Sequence, residues 1–279
     1  MPASLSGILS VAKSGLLSHQ LAIQVTSNNI ANATTEGYSR QRAELVGATP
    51  LRMPEGLLGT GVRVADITRA RNELLDTAYR RESSLFHGFT VAGNALGSVE
   101  SVLGDLSDLG LAGSLDAFWN SWSDLANDPT SSAARAVVVS RGQQLVDHFN
   151  RTDASLDAIG SQLADGLQTS VGEVNRLLGE IAELNGQVAS ATAGGNSAPT
   201  LADRRDVLLD ELSTYVSIEV TPRENGVVGV YINGLSVVEG TIADSLTVSS
   251  AGGVWTVLNR SGTAMDIPAG SVGGTCLLY

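Results

Sequence analysis

Apolar and small residues recur along the first 30 positions in alternating steps of four and three: Leu5, Leu9, Ala12, Leu16, His19, Ile23, Thr26 and Ile30. That 3.5-residue repeat is the seam of a coiled coil, narrower than the stripe with which an ordinary helix covers a core. Ile8, Gly15, Ala22 and Asn29 flank the seam, and the small side chains there let a partner come close. At 1.5 Å per residue the helix is about 40 Å long. A lone seam has to find a partner.

The repeat breaks at "SNNIANATTEGYSRQ", Ser27 to Gln41. Asn28, Asn29 and Asn32 suit the capping of helix-end carbonyls and the backbone of a turn. Gly37 suits a backbone angle that other residues resist. The Tyr38 ring suits pinning of the exit against the helix, with its hydroxyl left for a polar partner. Extended, turn-rich chain is expected to about residue 60, punctuated by Pro50, Pro54, Gly56 and Gly59. "GTGVRVADI" then alternates like a short strand.

From Asp66 a heptad returns through Ile67, Leu74, Ala78, Leu85, Ala92 and Val99, with Leu103 near its end. A shorter helix gathers Leu111, Leu115, Phe118, Trp122 and Leu125 on one face. Asp128-Pro129 suits a capping carboxylate followed by proline at the first helical position. The helix it opens is expected to run to about Ser190, where "AGGN" stops it. Leu145, Phe149, Leu156, Ile159, Leu163, Leu167, Val171, Val174, Leu178, Ile181 and Val188 mark its buried edge. Consecutive four-steps around Leu167 form a stutter that straightens a supercoil. Around 60 residues of helix make a rod about 90 Å long.

"PTLADRRDVLLDELSTYV" is one more amphipathic helix. The pattern then changes to short β-branched runs, "SIEVTP", "GVVGVYIN", "LSVVEG", "SLTVSS" and "VWTVLN", separated by "RENG", "NG", "AGG" and "RSG". Those are hairpin signals, with Asn233-Gly234 the clearest. The expected fold is mainly α with a small β domain. An inner-core helix and its extended exit occupy residues 1–65, a long antiparallel helical rod 66–216, and the start of an outer antiparallel β domain 217–279.

Composition narrows the function. Charged residues are 16% and aromatics 4%, so the core is aliphatic and helical. The net charge is −12, against the basic face of a nucleic-acid binder. It is unevenly spread: residues 1–81 hold nine Lys/Arg against six Asp/Glu, a net +3, and the remainder a net −15. The first segment thus has a different neighbour from the rest. A single cysteine, Cys276, excludes disulfides within the chain and multi-cysteine metal sites. No apolar run approaches the roughly 20 residues that cross a membrane, and the N-terminus lacks the basic region of a secretory signal.

Catalytic chemistry finds little support. His19, His87 and His148 are widely spaced and form no ligand pair. "SVAK" at Ser10 lacks the companion motifs of penicillin-binding enzymes. "GLLGTG" at Gly56 has no P-loop lysine, and the sequons at Asn32 and Asn150 are short patterns that arise by chance. Asp203 and Asp206 share a helix face beside Arg204 and Arg205; a charged surface with local ion pairs is preferred over a cation site. Trp255 and Tyr231 either fill the β core or stack on a sugar, the core being preferred. No catalytic residue, cofactor or metal is expected.

"NNIANATTEGYSRQ" resembles the N-terminal signature of bacterial flagellar axial proteins. Its continuation Ser39-Arg40-Gln41 is closer to the hook-associated protein 1 family, at the hook–filament junction, than to rod or hook subunits. "GTGVRVADITRARNELLDTAYRRE" (Gly59 to Glu82) and "LADRRDVLLDELS" (Leu201 to Ser213) resemble further stretches of that family, and the resemblance runs through nearly the whole chain in order. It implies a structural adapter that self-assembles helically, with further copies, the hook subunit and a second junction protein as partners. It implies export to the flagellum without a cleaved signal, helped by a chaperone for the C-terminal region. Carried over, the inner-core seam is Leu5, Leu9, Leu16, Ile23 and Ile30, and the junction motif is Asn28, Asn29, Asn32, Gly37, Tyr38, Arg40 and Gln41. Family members usually continue through a returning rod helix to a C-terminal heptad helix that pairs with the first. "GSVGGTCLLY" is therefore expected to end the chain within the β domain. A distal rod or hook subunit, and a secreted carbohydrate-binding protein, are the alternatives.

Overall fold

The computed structural model describes residues 5–54, 56–103, 110–195, 197–251 and 254–278. Asn196 of "AGGN", Gly252 and Gly253 of "AGG", and Tyr279 lie outside them. The described helices are α1 (Leu5–Ala31), α2 (Glu73–Leu103), α3 (Leu111–Asn127), α4 (Ser132–Thr192), α5 (Pro199–Tyr215) and α6 (Gly270–Cys276). Strands β1 (Gln41–Gly47), β2 (Leu51–Met53), β3 (Gly56–Leu58) and β4 (Val62–Arg69) lie between α1 and α2. Strands β5 (Glu219–Pro222), β6 (Val228–Ile232), β7 (Leu235–Glu239) and β8 (Ile242–Ala243) follow α5. Strands β9 (Thr247–Ala251), β10 (Val254–Leu258) and β11 (Ala264–Met265) complete the set.

α1 has the expected span, but the face it buries is not the seam. Ser18 and Val25 are its buried residues. They lie on the side that meets the β1–β4 ribbon, where the Ser18 hydroxyl donates to the Val62 carbonyl at 3.1 Å. The segment expected to be extended and turn-rich is paired: β1 runs antiparallel to β4, and β2–β3 forms a small hairpin between them. Asp66 and Ile67, expected to open a helix, lie in β4 opposite Glu44 and Ala43. The alternation through Val62 and Val64 outweighs a heptad step, because a partner strand stands beside it.

α2 departs most from its heptad. Arg80, Ser84, Gly88 and Ala95 are buried, whereas Leu74 and Leu85 are exposed, along with Leu75, Tyr79, Phe86, Phe89 and Leu96. The reason is how close its neighbour comes. A Cβ on Gly274 of α6 would collide with the Gly88 carbonyl of α2, so backbone meets backbone and only small side chains fit. The segment expected inside β structure, "GSVGGTC", is therefore a short helix packed on α2, α4 and α5.

α4 spans 61 residues. It opens at Ser131, whose hydroxyl accepts from the Ala134 N–H at 3.2 Å. Asp128, expected as its cap, instead closes α3, donating its N–H to the Asp124 carbonyl. The C-terminal half of α4 carries the core. Leu167, Val171, Val174, Leu177, Leu178 and Ile181 pack with Leu209 and Leu212 of α5, Val230 and Ile232 of β6, and Val272 of α6. The N-terminal half is covered mainly by α3, and Phe149, expected on the buried edge, is exposed.

The β runs fall where the sequence placed them. β5–β6–β7–β8 form one antiparallel sheet and β9–β10–β11 another. Asn233 and Gly234 make the two-residue turn between Ile232 and Leu235, both with positive φ, 46° and 79°. That is the backbone an Asn-Gly hairpin turn requires.

Candidate functional site at the helix exit

The α1 seam lies open. Leu5, Leu9, Leu16, Ile23 and Ile30 are between 66% and 83% exposed, so a row of large aliphatic side chains faces water along the length of the helix. A contiguous apolar row of this kind marks a surface for a partner.

At the end of that helix, the asparagines build a lock. The Asn29 amide takes both backbone groups of Gln41: its Oδ1 accepts from the Gln41 N–H and its Nδ2 donates to the Gln41 carbonyl, each at 2.8 Å. The first strand after the turn is thus tied back to the last turn of the helix. The Tyr38 hydroxyl donates to the same Oδ1 at 2.9 Å and accepts from Asn28 Nδ2 at 3.3 Å. Asn32 Nδ2 donates to both the carbonyl and the side chain of Asn28, at 3.0 and 2.9 Å. Burial raises the Tyr38 phenol above its ordinary pKa, with the Asp203 carboxylate adding to the effect; the hydroxyl stays a neutral donor.

Gly37 has φ +75°, and a Cβ there would run into the Val207 side chain of α5. Sterics and backbone conformation both exclude larger residues. Gln41 is buried, while Arg40 is exposed and offers its carbonyl to the Ala70 N–H at 2.7 Å. Of the twelve positions singled out in the sequence, Asn28, Asn29, Asn32, Gly37, Tyr38, Arg40 and Gln41 are thus gathered at one corner. Leu5, Leu9, Leu16 and Ile23 extend away from it along α1, with Ile30 where the two meet.

Beside that corner lies a cluster that sequence reasoning did not find. Asp203 and Asp206 were expected on a charged surface; Asp203 is 4% and Asp206 7% exposed. Their partners come from more than 120 residues away. Arg69 Nη1 bonds Asp203 Oδ1 at 2.9 Å and Asp206 Oδ2 at 2.5 Å. Arg71 reaches Asp76 at 2.7 Å, Asp206 at 3.5 Å and Asp210 at 3.4 Å, and Arg80 bonds Asp210 at 2.6 Å. Asp203 also accepts the Ser39 backbone N–H at 3.2 Å. Burial opposes the charge on Arg69, but its hydrogen bonds to Asp206 and Asp203 outweigh that, and its pKa rises. The available signal was a 3,4 spacing of Asp203, Asp206 and Asp210 on one helix face, matched in number by Arg69, Arg71 and Arg80.

Arg205 was also missed. It is buried, and donates to Asn185 Oδ1 at 2.9 Å and the Gly226 carbonyl at 2.7 Å. Burial lowers its pKa, with Asp206 opposing and Arg69 and Arg80 adding to the shift. Asn185 in turn holds both backbone groups of Val228, and Asn175 those of Leu246.

None of the other candidates gathers a site. His19 is exposed, and His87 and His148 are half-buried on different helices. Among the described residues no cluster of three His, Cys, Asp or Glu could hold a metal ion, and no helix is long and apolar enough to cross a membrane. Trp255 packs against the core; the Tyr231 hydroxyl pairs with Arg223 and Glu239.

Fold and site together define a class: a helical rod protein whose open heptad seam leaves the rod at a fixed, hydrogen-bonded corner. The family profile described as "Flagellar hook-associated protein FlgK helical domain" matches residues 96–276, and one described as "Flagella basal body rod protein" matches residues 9–38. The chain belongs to the FlgK family of flagellar hook-associated proteins. It is 34% identical to flagellar hook-associated protein 1 of Bacillus subtilis (strain 168), over 90% of this chain and 50% of that one. To the Escherichia coli (strain K12) protein of the same name it is 29% identical, over 97% of this chain and 52% of the relative. It thus spans about half the length of the curated relatives it matches. The flagellar hook junction protein FlgK from Burkholderia pseudomallei shares its fold, with a TM-score of 0.61 at 22% identity, over 74% of this chain and 38% of that one.

Proposed function

We propose that the chain serves as a structural subunit of the bacterial flagellum, an adapter that joins hook to filament by helical self-assembly and performs no catalytic step. One observation carries the reading: a 27-residue helix whose large aliphatic seam is unburied while the extended chain at its end is tied back to it by hydrogen bonds to both backbone groups of Gln41. Exposed Leu and Ile at heptad spacing gain by burial against other helices, at about 25 cal/mol per Å². The locked exit holds the seam at one angle to the rod.

The partners in this reading are further copies of the subunit, the hook subunit and a second junction protein, with a chaperone during export. The protein is exported to the flagellum outside the cell without a cleaved signal. The profile match over residues 9–38 favours a second reading, a distal rod or hook subunit. The long helices α2 and α4 and the helical-domain match over 96–276 favour the junction.

Ile23→Asp, introduced into the full gene, tests the proposal. A carboxylate in a desolvated seam is costly, so cells carrying it are expected to make hooks that do not retain filaments and to lose motility in soft agar. Normal motility overturns the role assigned to the seam.

A further inference from the structure

α1 and the β1–β4 ribbon hold each other. Ser18 bonds Val62, and Asn29 ties down Gln41. Among the described residues the main cluster of buried apolar side chains begins at Leu167, and none of residues 5–69 belongs to it; Val25 of α1 is buried outside that cluster. The N-terminal segment meets the helices chiefly through β4 and α5. What joins the two there is polar. Arg69 and Arg71 reach Asp203, Asp206 and Asp210, Ser39 donates its N–H to Asp203, and Ser197 donates its N–H and hydroxyl to Asp66 at 3.2 and 2.7 Å. The apolar contribution is small, with Gly37 against a Val207 that is itself partly exposed.

An apolar interface of ordinary size resists sliding weakly and separation strongly, because its attraction is non-directional. Paired charges with bonded geometry do the opposite. They define one orientation, and their groups can be rehydrated once it is lost.

We propose that the Arg69–Arg71 pairing with Asp203, Asp206 and Asp210 is a joint that sets the angle at which the α1 seam leaves the rod. When it opens, the N-terminal segment swings as a unit and the rod stays folded. Arg80, anchored on α2, keeps Asp210 paired when the other two arginines are gone. The purpose of the joint rests on the assembly reading; its existence does not.

The test measures the angle in the isolated chain. Spin labels on Lys13→Cys in α1 and Asp153→Cys in α4, both exposed positions, with Cys276→Ser, report one inter-helix distance by double electron–electron resonance. The wild-type pairing is expected to give a single narrow distribution. Arg69→Met with Arg71→Met is expected to lose that peak to a broad one, with far-UV circular dichroism and the thermal midpoint of the rod unchanged. Lysine at both positions keeps the charge and is expected to keep the narrow peak. An unchanged distribution in the methionine variant, equal broadening with lysine, or loss of the helical signal overturns the joint. The same variants in the full gene separate the two readings. An unaltered distance with lost motility removes the joint and leaves the junction role; a loosened distance with normal motility does the reverse.

Discussion

An asparagine side chain presents an N–H and a C=O at the spacing of a peptide group, and among the described residues that match is used three times. Asn29, Asn175 and Asn185 each project from a helix and take both backbone groups of one extended residue: Gln41, Leu246 and Val228. Each amide does the work of a neighbouring strand, so extended chain can lie against a helix without unpaired backbone groups. Gly37 completes the first of these corners. Gly37→Val adds a β-branched Cβ at positive φ, worth about 1–3 kcal/mol of strain, on top of the collision with Val207. The expected outcome is a misdirected exit, read as lost junction assembly in complemented cells. A second residue-scale expectation concerns Asp66. The Ser197 hydroxyl bond lowers its pKa below the ordinary 3.8, against an opposing effect of burial and with help from backbone N–H groups of Ile67 and Ser197. Because the folded value is the lower one, the tether's contribution is complete above 3.8 and fades as pH falls through the depressed folded value. Ser197→Ala should move the Asp66 midpoint back up towards 3.8, as followed by NMR titration of the carboxyl carbon.

Among the elements, α1 and α2 show that periodicity names a face without saying what covers it. Both carry heptad-spaced apolar residues, and in both the large ones point away from the folded body while small or polar ones are buried: Ser18 and Val25 in α1, Ser84, Gly88 and Ala95 in α2. For α2 the decisive residues are glycines, an element-scale feature, since two helices must supply them together. Gly274→Ala would drive a methyl into the Gly88 carbonyl. Overpacking of this kind costs about 1–3 kcal/mol, so the thermal midpoint should fall, and α6 should lose amide protection before the α4 core does.

For the whole molecule, the distribution of apolar burial predicts a gradient of stability. The core gathers around the C-terminal half of α4, α5 and the first sheet, while α1 rests on a two-stranded ribbon with its seam in water. In the isolated chain, amide exchange is therefore expected to be fastest in α1 and slowest between Leu167 and Val188, because local opening is cheapest where few apolar contacts are lost. Trypsin should cut at Lys13 well before Arg205, which is buried. Equal protection of α1 and the α4 core would mean that the seam already has a partner.

The amino-acid sequence by itself determined most of the helices, the later β runs and the seam. Repeats of 3.5 and 2 residues, a run of turn residues at Ser27–Gln41 and an Asn-Gly at 233–234 are local signals, and each reflects backbone sterics or side-chain direction within a few residues. So α1, α3, α5, the β runs and the corner built on Asn29, Gly37 and Tyr38 were legible. What only the tertiary structure decided was pairing across distance. The Arg69–Asp203 bridge joins positions 134 residues apart, and nothing in a helix-face aspartate announces whether water or an arginine stands opposite. The same holds for Gly88 and Gly274, whose smallness matters only once two backbones touch, and for Asp66, drawn into a strand by its neighbour β1. Local chemistry sets what each segment can form; burial and charge pairing, which need both partners in place, select which face turns inward.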